Sequence, residues 1–386
     1  MRLVWVNDNA APVGGCEAYI RDTALGLRSR GVSSTLLYQV SGAMEARWMR
    51  HFDGAFPMVD IHRQIKELAP DLVYIHRLEG VREAQLFSEL TCPAVRFFHD
   101  HKLFCLREHK YTAIRNQTCK RTIGWRCYPC LGFINRSDRW PGIRWQRIGS
   151  LRAEQRANMQ FDAFITSSEY MAGHLAAHGF DRNRIHVIPL YVMPPQETEN
   201  VARDPKLLFF AGQMVRGKGV DILLKALAQT RDEIRLILAG RGRLEDEFKQ
   251  LCGELKLDHR VTFMGRLDPD QMTEYYQKAA CVIFPSRAPE TFGLIGPEAM
   301  RYGAPIIASD VGGVREWLED GVTGVAVPPN DVQALTETIT RMIDDPGRAS
   351  ALGEAGRKRC LECFMPDRHL DSLLALFQSL TEGRTT

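Results

Sequence analysis

Short apolar runs recur along this chain, spaced so that one helix fits between each pair. Residues 3–6, 34–38, 71–76, 94–99, 161–166 and 185–188 each read as a strand. The runs are apolar nearly throughout, as expected for strands covered on both faces. After the first of them, Gly14 and Gly15 open a helix reaching about residue 28, with Ala18, Leu25 and Leu27 among its apolar positions, and Gly31 closes it. Alternation of this kind predicts a parallel sheet with helices on both sides. It breaks at residues 189–204, where Pro194-Pro195 and the polar run 196–200 read as a linker. It then resumes with strands at 207–210, 234–238, 261–263, 281–284 and 306–308, and a last helix spans about 366–380. The expected fold class is α/β, with two doubly wound, Rossmann-like domains at 1–188 and 205–363 and a C-terminal helical tail at 364–386. Ligands of such open sheets bind at the carboxyl ends of the strands. Two such domains would face each other across a cleft.

Composition narrows the class without changing it. The 386 residues suit two domains that each bury a core, and 45% apolar with 25% charged residues is ordinary for a globular protein. No apolar run approaches the roughly 18 residues of a membrane span. The start, Met1 to Asp8, turns polar too soon for a signal peptide and reads as a first strand. Ten irregularly placed cysteines then suggest a reducing compartment, hence a cytoplasmic location. No internal repeat or low-complexity segment stands out. The net charge of +3 hides an asymmetry: residues 96–156 carry 14 Lys and Arg against 4 Asp and Glu.

Candidate chemistry centres on residues 284–313. A buried strand ends at Pro285, a loop carries Glu290 and Gly293, and a helical stretch starting near Glu298 stops at Gly303. Amides of Gly293, Leu294 and Ile295 at a helix start would suit a phosphate. Glu290 and Glu298, eight positions apart, would each accept hydrogen bonds from vicinal hydroxyls. A phosphate between two hydroxyl-binding carboxylates describes a nucleotide-sugar. Alone, the two glutamates would read as a helix-terminal charge and a surface acid.

The segment from Phe284-Pro285-Ser286 to Val311-Gly312-Gly313 closely resembles the retaining glycosyltransferases of family 4, whose hallmark is a pair of glutamates separated by seven residues. The resemblance covers nearly the whole chain and is densest over 205–330. It implies the GT-B fold, a nucleotide-sugar donor linked to UDP or GDP, and transfer with retention at the anomeric carbon. Gly212, in the turn 211–219, would let backbone approach the diphosphate, with Lys218 at the family's lysine. Gln213 stands where the family usually has arginine, and Arg216 is the nearest substitute. Gly240 matches a turn lining the donor pocket, and Arg266 lies in the loop that contacts the base. Gly14 and Gly15, followed by Glu17, match a glycine-rich loop near the sugar and phosphate. The resemblance places His99 against the donor sugar and leaves Glu290 as an electrostatic partner of the reacting carbon; His76 is a weaker candidate. It implies no catalytic metal. Asp268-Pro269-Asp270 has the form of a metal-binding Asp-x-Asp but precedes a helix at 271–280, where Asp270 reads as the N-cap. It also implies that the last helix packs back on the first domain.

From about 101 to 150 the alternation fails. Cys105, Cys119, Cys127 and Cys130 are spaced C-x13-C-x7-C-x2-C, which suits a structural zinc, then an iron–sulfur cluster, against buried thiols with no metal. Trp125, Phe133, Trp140 and Trp145 interleave with Arg126, Arg136, Arg139, Arg144 and Arg147. Aromatic plus basic suits an anionic membrane or nucleic acid; beside a transferase fold it reads as an acceptor-side platform at the inner membrane face. The expected function is transfer of a sugar from a nucleotide-sugar to a saccharide or lipid-linked saccharide, in surface polysaccharide or glycolipid synthesis. The alternative is a non-catalytic binding protein of the same fold, using the basic insertion for nucleic acid or a partner.

Overall fold

The computed structural model describes residues 1–112, 117–130, 133–136, 142–195 and 201–383, with side chains throughout except at 134–136 and 143–144. Arg139, Trp140 and the polar run 196–200 lie outside the described residues, as do the side chains of Arg136 and Arg144. The chain forms two compact units. The first comprises Met1–Glu108, Arg121–Ile188 and Asp367–Thr386; the second comprises His109–Lys120 and Pro189–Pro366.

The first unit holds β1 (Arg2–Asn7), β2 (Ser33–Tyr38), β3 (Gly54–Pro57), β4 (Leu72–Ile75), β5 (Ala94–Phe98), β6 (Ile134–Arg136), β7 (Ile143–Trp145), β8 (Ala163–Thr166) and β9 (Ile185–Val187). Seven strands form one parallel sheet in the order β3-β2-β1-β4-β5-β8-β9. The order reverses between β1 and β4, which is where such sheets open a crevice for ligands. β6 and β7 pair antiparallel as a separate hairpin inside the insertion, which the sequence left without regular structure. Val4, Val6, Val73 and Ile75 enter one apolar core, built with Phe87, Phe161 and Leu175. Their neighbours Trp5 and Tyr74 point to the opposite face, as the two-residue period of a strand requires. There Tyr74 packs on Phe377 of the last helix, Pro366–Glu382, at 5.0 Å between ring centroids. The same helix reaches helix Gly15–Arg28 through Tyr19 Oη and His369 Nε2, 2.8 Å apart. Arg30 donates to Asp367 and Asp371 on its exposed side at 2.6 and 3.2 Å.

The second unit holds β10 (Asp204–Ala211), β11 (Arg235–Ala239), β12 (Val261–Gly265), β13 (Ala279–Phe284), β14 (Ile306–Ser309) and β15 (Val325–Val327). They form a parallel sheet in the order β12-β11-β10-β13-β14-β15, with its switch point between β10 and β13. Leu208 and Phe210 go to one core with Leu223 and Ile339. Phe209 and Ala211 go to the other with Met300 and Trp317. That alternation is why these strands read as continuous apolar runs.

Three local expectations are corrected. The helix after β12 is Pro269–Lys278, and its N-cap is Asp268 rather than Asp270: Asp268 accepts from the Gln271 amide while Gln271 returns a bond to the Asp268 amide. Pro269 at the first helical position fixes this register, since proline is favoured there. The helix carrying Glu298 begins earlier, at Ile295. The edge strands β3 and β15 were not foreseen. No helix among the described residues is long and apolar enough to cross a membrane.

Candidate active site

The second unit gathers its chemistry at the carboxyl edge of its sheet. β10 ends at Ala211, and the chain turns through Gly212 into a short helical turn, Arg216–Lys218. β13 ends at Phe284 and leads into the loop carrying Glu290. Amides of Arg287 and Ala288 both donate to Gly217 O, at 2.9 and 3.0 Å. Arg287, nearly buried, donates twice to Asp221 at 2.7 Å, which ties this loop to the helix Val220–Leu227. Within this frame Lys218 Nζ and Ser286 Oγ each donate to Glu290 Oε1 at 2.8 Å. The Glu290 carbonyl accepts from the Gly313 amide at 2.7 Å, which fixes the backbone of the same residue. A carboxylate held by an ammonium and a hydroxyl is oriented before any ligand arrives.

Glu298 lies on helix Ile295–Met300, preceded by Gly293 and Leu294. Tyr276 Oη donates to Glu298 Oε2 at 3.0 Å. Burial raises the Glu298 carboxyl pKa, opposed by the Tyr276 hydroxyl and Arg301. Glu298, Tyr276, Arg301 and Arg266 line one cavity of about 750 Å³, so the site residues Glu298 and Arg266 share one wall. Arg216 instead pairs with Glu247 at 3.3 Å on the exposed surface. Gly240 packs directly against the Gly212 carbonyl.

The first unit has its own cluster at the β1/β4 switch point. His76 follows β4, His99 follows β5, and their Nδ1 and Nε2 atoms lie 2.7 Å apart. The His76 ring stacks on Trp5 at 5.3 Å. Burial holds both imidazoles neutral: it pushes His76 well below its ordinary pKa, and with Arg77 it pushes His99 down to about 3. Glu17, fully buried, accepts from Asn7 Nδ2 at 3.2 Å and faces Arg77 at 3.5 Å. A side chain added at Gly15 would meet nothing within 4 Å, and at Gly14 only Glu17 Oε2 at 3.5 Å, so space lies open beside this backbone.

Ligand atoms of Cys16, His76 and His99 lie within 4.8 Å of one another, the one such trio of His, Cys or acidic ligands among the described residues. Cys105, Cys127 and Cys130 share the first unit without forming such a trio, and Cys119 belongs to the second unit. None of the four is disulfide-bonded, and all are partly exposed. In the insertion, Trp125, Tyr128 and Trp145 are exposed, with the Arg126 guanidinium over the Trp125 ring at 5.4 Å.

Sequence reasoning missed Tyr276, Ser286, Arg287 and Asp221. Tyr276, Arg287 and Asp221 each act through a partner far along the chain, so no local pattern marks them. Ser286 alone had a signal, standing directly after the strand-ending Pro285 in the segment already singled out.

Two parallel sheets with a switch point apiece and a Glu-x7-Glu pair at the edge of the second define the GT-B class. Anabaena Alr3699/HepE, solved in complex with UDP and glucose, superposes with a TM-score of 0.73 over 98% of this chain and 100% of its own, at 18% identity. The apo lipopolysaccharide outer core galactosyltransferase WaaB superposes with a TM-score of 0.72 over 98% and 100%, at 17% identity. At these identities the likeness speaks for the fold alone. The sequence model described as "Glycosyltransferase Family 4" matches residues 13–192, and that described as "Glycosyl transferases group 1" matches residues 196–359. The chain belongs to this family of glycosyltransferases. Among curated relatives, a D-inositol 3-phosphate glycosyltransferase of Xylanimonas cellulosilytica is 29% identical over 265 residues, 63% of each chain. The O-antigen chain mannosyltransferase C of Escherichia coli is 30% identical over 178 residues, 46% of this chain and 47% of its own. The match thus spans about half to two thirds of these relatives' length.

Proposed function

We propose that this chain is a retaining glycosyltransferase that moves a sugar from a UDP- or GDP-linked donor onto a saccharide or lipid-linked saccharide, in the synthesis of a surface polysaccharide or glycolipid. The observation that carries this reading is Glu290 oriented by Lys218 and Ser286 at the carboxyl edge of the second sheet, with Glu298 eight residues on in the wall of a cavity. In this reading Glu298 takes the ribose hydroxyls and Lys218 neutralises the leaving diphosphate. Glu290 serves the donor sugar. The bond from the anomeric carbon to the phosphate oxygen breaks. The acceptor oxygen bonds to that carbon on the same face, and its proton passes to the departing diphosphate. The exposed Trp125 and Tyr128, beside Arg126, would rest the chain on an anionic membrane at the cytoplasmic face.

A panel of UDP- and GDP-sugars tests this by thermal shift and slow donor hydrolysis, with Glu298→Ala as control. One nucleotide family should raise Tm by several degrees and release free sugar, and the variant should lose most of the shift. If no nucleotide-sugar stabilises the protein and none is hydrolysed, the reading is wrong.

A further inference from the structure

The carboxyl ends of β4 and β5 open into a cavity of about 320 Å³ within the first unit, lined by His99, Arg96 and Trp145 among others. Arg96 projects from β5, three residues before His99. It is only 6% exposed. Its Nη2 makes one long bond to the Leu78 carbonyl at 3.4 Å, while Nε and Nη1 have no partner among the described residues. A buried guanidinium with unmade hydrogen bonds carries a desolvation cost. A ligand oxygen in the cavity would remove it.

The charges around the cavity say which oxygen. Carboxylates of Asp8, Glu79, Asp100, Glu108 and Glu154 outnumber the cations Arg77, Arg96 and Lys102. A phosphate or a sugar carboxylate would therefore meet surplus negative charge. A hydroxyl would not: it accepts from a guanidinium with its lone pairs and donates its proton to a carboxylate. Trp145, 69% exposed, lines the same cavity with its ring stacked on Phe133 at 5.9 Å, which holds a flat apolar surface ready. A flat apolar face beside a mixed set of donors and acceptors matches a sugar ring, apolar on its faces and hydroxylated at its rim.

We propose that this cavity is the acceptor subsite and receives an uncharged sugar, with Arg96 donating to its oxygens, the cavity carboxylates accepting from its hydroxyls and Trp145 covering one face of the ring. This rests on the transferase reading above and goes further, because it excludes acidic and phosphorylated sugars at this position.

The test is saturation-transfer NMR on the full chain. The probes are methyl α-glycosides of glucose, mannose and galactose, set against glucuronate and glucose 6-phosphate. At least one methyl glycoside should bind, and its Kd should rise about tenfold or more in Trp145→Ala and in Arg96→Gln. Trp145 is exposed, so its variant keeps the test valid even if Arg96→Gln fails to fold. Binding of the charged sugars alone, binding indifferent to Trp145→Ala, or no binding by any neutral glycoside would each overturn the proposal. The donor panel separates the two readings. Protein that hydrolyses a nucleotide-sugar yet binds no neutral glycoside keeps the transferase and loses this subsite. Protein that binds a neutral glycoside through Trp145 without touching any nucleotide-sugar keeps the saccharide site and loses the transferase.

Discussion

Lys218 and Glu290 form a half-buried pair at 2.8 Å, and what each does for stability differs from what it does for a ligand. Such a pair contributes on the order of 1 kcal/mol to folding, since partial solvent access screens it. A diphosphate placed against the same ammonium would gain a charge-assisted bond. Lys218→Met should therefore lower Tm by only a few degrees and weaken nucleotide-sugar binding about tenfold or more; calorimetric titration against scanning fluorimetry compares the two. Loss of stability without loss of affinity would remove Lys218 from the donor site. The histidines make a second residue-scale prediction. His76 and His99 have folded pKa values below the roughly 6.5 of an unfolded histidine. Below that pH the unfolded chain binds more protons than the folded one. Stability from their neutrality is thus fully present above pH 6.5 and falls as pH drops, by at most about 1.4 kcal/mol per pH unit for each. Urea unfolding at pH 7.5 and 5.5 should show that loss, and His76→Gln should shrink it. An equal loss in the variant would assign the acid sensitivity to other groups.

At the level of elements, what could be read in advance depended on whether the signal was local. Strands such as β1, β4 and β13 were legible because both faces are buried and the central run of each is apolar. β3 escaped because it is a four-residue edge strand, partly exposed, ending in Pro57. β15 has only three residues. The Glu290–Glu298 pair was legible as a motif, whereas the Tyr276 hydroxyl that holds Glu298 comes from 22 residues upstream. The Glu290 loop is clamped to the helix Val220–Leu227 by Arg287 and Asp221, 66 positions apart, and nothing near either residue announces the other. The turn after β11 shows how tightly these elements fit. Gly240 has φ +127°, and a Cβ there would lie 1.8 Å from the Gly212 carbonyl oxygen. Gly321 also has positive φ, +75°, but its Cβ would meet nothing within 4 Å. Gly321→Ala should cost about 1 kcal/mol, the backbone term alone. Gly240→Ala should cost about 2 kcal/mol or more, because the backbone itself must move. Urea midpoints of the two variants measure the difference, and equal costs would mean that the loop gives way easily.

For the whole molecule, the uneven charge along the sequence sets the prediction. Residues 96–156 are strongly basic while the rest of the chain is acidic on balance, and the exposed Trp125 and Tyr128 lie in the basic part. Basic side chains near an anionic bilayer contribute about 1 kcal/mol each, and salt weakens them. Flotation with phosphatidylglycerol-containing vesicles should capture the protein at low salt and release it at high salt, and Trp125→Ala should reduce capture. Protein that stays unbound at low salt would refute the membrane contact. The division of the chain carries a further consequence. Residues 109–120 pack with the second unit although the sequence on both sides belongs to the first, and the last helix returns to the first. Here Tyr111 lies beside Gly217, the residue whose carbonyl ties the loops after β10 and β13 together. The gene therefore has no single seam. A chimera joined at residue 188 would set the loops of the incoming second half against the host's strap and the host's first unit against a foreign closing helix, so exchange of the second unit between relatives succeeds only where residues 109–120 and 189–366 are exchanged in concert.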